Sequence, residues 1–107
     1  MLTYQNLTAE SFAEQLSTSH DGVLLDVRSE REYLEKHLKG AINIPVTEKE
    51  ELLRLDKART YFVHCRVGGR SAVAAHLMIQ EGFEHVYNLN DDIAKLYEYF
   101  SDDVPVR

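Results

Sequence analysis

Short apolar runs that alternate with helix-like stretches constrain this chain more than any other feature. "GVLLDV", "AINIPV", "TYFVH" and "HVYNL" are too short for stable helices and rich in β-formers. Amphipathic or alanine-rich segments separate them. Strands that are apolar almost throughout suit a parallel sheet covered on both faces. The segments between them then serve as right-handed helical crossovers. The expectation is an α/β fold: a small parallel sheet in a three-layer arrangement with helices on both faces. At 107 residues and 44% hydrophobic, the chain suits a single domain over residues 1–107 with one modest core.

Helix starts are legible in several places. "TAESFAEQL" offers Thr8 as an N-cap, with Phe12 and Leu16 on one face. "SEREYLEKH" opens with a capping box of Ser29 and Glu32, and "TEKEELLRL" repeats that logic with Thr47 and Glu50. "SAVAAHLMIQEG" reads as a helix ending at Gly82 as C′ residue, and "DDIAKLYEYF" as a last helix with acidic residues in its first turn.

Charge and composition exclude several functions. A net charge of −6 and a pI near 5.3 do not suit a nucleic-acid binder, which needs a basic footprint. No apolar run approaches membrane-spanning length, and the first residues lack the basic and apolar regions of a signal peptide. The histidines (His20, His37, His64, His76, His85) are scattered, and one cysteine with no clustered ligands argues against a metal site. No cofactor is implied. A lone cysteine cannot form an internal disulfide, which points to a reducing compartment, the cytoplasm.

That cysteine lies in "YFVHCRVGGRS". Cys65 leaves a strand and enters a loop of Arg66, Val67, Gly68, Gly69 and Arg70, and a helix follows near Arg70 and Ser71. In parallel α/β sheets ligands gather at the carboxyl ends of strands. The following helix turns its positive end toward the thiol, and nearby arginine adds to the effect, so the thiolate is favoured. Glycines permit positive φ, which lets consecutive N–H groups turn inward as an anion nest.

The chain resembles the rhodanese-like sulfurtransferase family over most of its length. "LLDVRSEREYLEKHLKGAINIPV" is similar to the family's first signature, with Asp26, Arg28, Glu32, Tyr33, His37, Gly40, Ala41, Asn43, Ile44 and Pro45 in pattern. "VHCRVGGRSAVAAHLMIQEGFEHVYNL" is similar to the second. The resemblance implies that Cys65 accepts a sulfane sulfur, becomes a persulfide, and passes the sulfur to an acceptor. It implies substrate binding by residues 66–71 (Arg66, Val67, Gly68, Gly69, Arg70 and Ser71), with Asp26 and Arg28 in support. The implied partners are a small sulfane-sulfur donor such as thiosulfate or a persulfide, a protein-borne persulfide included, and a thiol or cyanide acceptor.

Other readings compete. Cysteine phosphatases and arsenate reductases have a similar loop with five residues between cysteine and arginine; here four separate Cys65 from Arg70. The smaller ring suits one sulfur better than a tetrahedral phosphate. A redox-sensing or partner-docking module on the same scaffold is a further alternative. His64 adjoins Cys65, but neighbouring strand residues point to opposite faces, so a Cys–His pair is not expected. His37 is read as structural. Asp91 and Asp92 stand where many family members carry glycines. They read either as a helix start or as a negative rim that repels small dianions.

Overall fold

The computed structural model describes residues 3–100. Its elements run β1 (Gln5–Leu7), α1 (Ala9–Thr18), β2 (Gly22–Asp26), α2 (Glu30–Glu35), β3 (Ile42–Asn43), α3 (Lys49–Leu53), β4 (Thr60–His64), α4 (Gly69–Gln80), β5 (His85–Leu89) and α5 (Ile93–Tyr99). All five strands pair in parallel in the order β1-β5-β4-β2-β3. The expected α/β parallel sheet is therefore what forms.

The strand side chains alternate between two cores, as a pleated sheet requires. Leu25, Tyr61, Val63 and Val86 meet Leu52 of α3 and Ala74, Ala75 and Met78 of α4 on one face. Leu24, Phe62 and Leu89 meet Phe12 and Ala13 of α1 and Leu96 of α5 on the other. Phe12 and Phe62 pack edge to face at 5.5 Å between centroids, a favoured aromatic geometry.

The chain order makes one crevice. After β2 it leaves through α2, whose Tyr33 packs on the α1/α5 face, and moves outward to β3. After β4 it leaves through α4 on the opposite face and moves the other way to β5. Such reversals leave a cleft outside the carboxyl ends of the two strands, where open α/β sheets bind ligands. The segments after Asp26 and after His64 both lie there.

Local signals account for most helix ends. Thr8 accepts from the Ser11 N–H, and both halves of the Ser29/Glu32 capping box form. Gly82, at φ 94°, closes α4 with Phe83 N–H to Met78 O at 3.0 Å and Gly82 N–H to Ile79 O at 3.1 Å, a Schellman pair.

Two expectations need correction, and one strand was absent from them. The Thr47/Glu50 capping box is absent: Glu48 takes the N-cap position and makes no side-chain cap. A backbone turn, Glu48 N–H to Pro45 O at 2.8 Å, draws Thr47 inside it and starts the helix one residue later. "AINIPV" keeps only Ile42 and Asn43 as strand, although Ile44 and Val46 still donate to Asp26 O and Val27 O on either side of Pro45. β1 was not foreseen. "QNL" has no β pattern and becomes a strand by adding to the edge at β5.

Candidate active site

Cys65 follows β4 directly and is 1% exposed. Its Sγ accepts from the Gly68 N–H at 3.1 Å and the Ser71 N–H at 3.4 Å, and lies 3.3 Å from Ser71 Oγ. Burial pushes the thiol up. The Ser71 hydroxyl and the N–H groups of Ser71, Gly68 and Val67 outweigh it, and the thiol sits below its ordinary value.

Backbone geometry explains the cradle. Gly68 is the N-cap of α4 with φ 104°, a conformation that favours glycine, and a Cβ there would stand 2.9 Å from Leu89 O. Gly69 is different. It begins the helix without positive φ, and a Cβ there would meet nothing within 4 Å. The nest thus needs one glycine, not two, and Gly69 leaves the approach open. The loop is tied down at both sides. The Ile93 N–H donates to Arg66 O at 2.8 Å, and Asn88 Nδ2 lies 3.5 Å from Gly68 O and 3.0 Å from Asn6 Oδ1.

The loop side chains divide by role. Val67 points its side chain to solvent and contributes its N–H. Arg66 is exposed and forms no ion pair among the described residues. Arg70 reaches α2 instead of the cradle: Nη1 donates to Glu32 Oε1 at 2.6 Å and Nη2 to Oε2 at 3.1 Å. This bidentate pair holds the Glu32 carboxyl at about 2. Glu32 Oε1 also accepts from the Ser29 N–H and hydroxyl, so one carboxylate caps α2 and binds the loop arginine. Sequence reasoning read Glu32 as a cap and as part of the first signature, not as a partner of Arg70. The two residues are 38 positions apart, and no local signal couples them.

Asp26 and Arg28 form a buried frame beside the cradle. Arg28 donates through Nε and Nη2 to both Asp26 oxygens and through Nη2 to Lys36 O. Asn43 Nδ2 donates to Asp26 O and Arg28 O, each at 3.0 Å, and pins the turn after β2. His64 pairs in register with Asp26, is fully buried, and does not touch Cys65 Sγ. Burial lowers its pKa and keeps it neutral. His37 stacks on Tyr33 at 3.7 Å and bonds its carbonyl.

Asp91 and Asp92 serve helix starts. Asp91 accepts from the Ala9 N–H at α1 and pairs with Lys95; Asp92 caps α5 by accepting from the Ala94 N–H at 2.8 Å.

Fold and loop together define an α/β protein that carries its thiol in an amide cradle at the carboxyl edge of the sheet. The chain belongs to the rhodanese-like domain family, whose model matches residues 8–98. It is 37% identical over 67 residues to the thiosulfate sulfurtransferase PspE of Escherichia coli, covering 60% of this chain and 64% of that protein. It is 33% identical over 79 residues to a tRNA sulfurtransferase of Thermoplasma acidophilum, covering 74% of this chain and 16% of that protein. This chain thus spans less than two thirds of either relative's length. Among solved structures, the rhodanese-like domain of the Anabaena Alr3790 protein superposes with a TM-score of 0.79 at 23% identity, covering all of this chain and 81% of that one. The membership matches the expectation drawn from the two signatures.

Proposed function

We propose that the protein is a sulfurtransferase that carries a sulfane sulfur on Cys65 as a persulfide. The observation that carries this reading is the set of donors from Gly68 and Ser71 on Cys65 Sγ. A thiolate so held is the nucleophile that sulfur chemistry needs. It attacks the terminal sulfur of the donor, and the donor's S–S bond breaks. The leaving group departs with the electron pair, as sulfite from thiosulfate or as a thiolate from an organic persulfide. The outer sulfur then lies over the first turn of α4. The Gly69 and Arg70 N–H groups there have no intrahelical acceptor, and we assign them as its donors. A thiol or cyanide acceptor attacks that sulfur and returns Cys65 to the thiolate, with no net oxidation of the protein.

Asp26 and Arg28 act at one remove by holding the turn that borders the cradle. These 107 residues hold no second thiol to resolve the persulfide, so for this domain the acceptor comes from outside and the kinetics are ping-pong. A thiol without an internal partner suits a reducing compartment, for which we propose the cytoplasm.

Intact mass after incubation with a sulfane donor tests the reading. The expected product carries one added sulfur, lost on adding thiol or cyanide, and Cys65→Ser takes up none and turns over nothing. Near wild-type turnover by Cys65→Ser overturns the mechanism. Ready sulfenylation without sulfur uptake would assign a redox sensor instead, and robust phosphatase turnover would refute the argument from loop size.

A further inference from the structure

We propose that Glu32, by neutralising Arg70, sets donor choice, and that the site takes an organic persulfide with a small carbon tail in preference to thiosulfate. This rests on the sulfurtransferase reading above.

Thiosulfate is a compact dianion, and a site built for it needs uncompensated cations. Here the cations near the cradle are mostly spent. Both ends of the Arg70 fork are held by Glu32, and Arg28 is buried against Asp26. Lys95 pairs with Asp91. Arg66 remains, exposed and without an ion pair among the described residues. One uncompensated arginine is a weak match for a dianion.

The space beside Arg70 has a different character. A groove of about 250 Å³ lies between Arg70 and the segment after β3, lined by Val27, Pro45, Val46 and Thr47 together with Ser29 and Glu30. Val27, which lines the groove, donates its N–H to His64 O at 3.0 Å, next to Cys65, and Arg70 lines it from the first turn of the helix that follows the thiol. An apolar wall gives an inorganic dianion nothing. It can bury the methylene of an organic persulfide, and Glu30 suits an ammonium on that tail.

The transfer balances. The Cys65 thiolate attacks the outer sulfur of R–S–SH and forms Cys65–S–SH. The R–S–S bond breaks, and R–S⁻ leaves with the electron pair and is protonated by solvent.

The test compares kcat/KM for thiosulfate and for free cysteine persulfide, at low and high salt. Wild type should favour cysteine persulfide. Glu32→Gln keeps a residue able to complete the capping box but removes the charge. It should shift the donor ratio toward thiosulfate about tenfold at low salt, mainly through KM and less at high salt. Thr47→Trp fills the groove from an exposed position and should shift the ratio the same way by slowing cysteine persulfide. Melting curves check that both variants fold. A wild type that prefers thiosulfate, or a ratio unmoved by Glu32→Gln, overturns the inference and leaves the sulfurtransferase reading standing. Sulfur uptake from neither donor overturns both.

Discussion

Two arginine–carboxylate pairs flank the cradle, and they differ in almost everything but their chemistry. Asp26–Arg28 joins residues two apart at the end of β2, with side chains 0% and 8% exposed. Glu32–Arg70 joins α2 to α4 across the cleft, with side chains 32% and 40% exposed. A buried pair contributes little beyond what a hydrophobic replacement would, yet losing one member strands a charge in low dielectric. An exposed pair is worth little to stability, but its charge state is felt by whatever enters the cleft. The inner pair therefore fixes geometry, and the outer pair adjusts the electrostatics of a site whose geometry is already fixed.

The largest break in that comparison comes from the inner pair. Asp26→Ala leaves Arg28 buried without its carboxylate and should cost about 3–5 kcal/mol. Urea titration followed by circular dichroism measures this; a cost below about 1 kcal/mol would mean that Arg28 finds water or another partner.

A smaller effect sharpens the pair's surroundings. His64 faces Asp26 on β4 and is held neutral, its pKa lowered by burial. The unfolded chain takes up that proton below about 6.5, whereas the folded chain resists it. The stabilisation is thus complete above the unfolded value and is lost as pH falls, by about 1.4 kcal/mol per unit at most. Melts at pH 7 and pH 5 should show this slope, and His64→Leu should reduce it. An equal slope in the variant would place the acid sensitivity elsewhere.

The smallest stability effect belongs to the outer pair. Arg70→Lys loses the bidentate fork and should cost no more than about 0.5 kcal/mol. The Glu32 contribution is complete above the unfolded value of about 4.3 and disappears as pH falls. The folded carboxyl, at about 2, is the lower end of that window. A stability loss in Arg70→Lys comparable with that of Asp26→Ala would erase the distinction between the pairs.

What the sequence revealed follows the same division between local and distant. Cys65, the helix after it and the Ser29 box were legible because each depends on neighbours within a few residues. Gly68 was legible as a turn glycine; that Gly69 needs no positive φ was not, because both look alike on paper. β1 was invisible because Gln5 and Asn6 are strand only by pairing with Tyr87 and Asn88. The Arg70–Glu32 pair and the Asn6–Asn88–Gly68 chain were invisible because the partners meet only after the sheet has brought them together.

The open space over Gly69 has a practical consequence. A Cβ there would project from the first turn of α4 without meeting any neighbour within 4 Å, while the backbone needs no glycine. The position is thus a built-in attachment point on the loop that follows the Cys65 thiol. If Cys65 carries sulfur as proposed, an environment-sensitive fluorophore on a non-cysteine handle at residue 69 would report its loading and unloading.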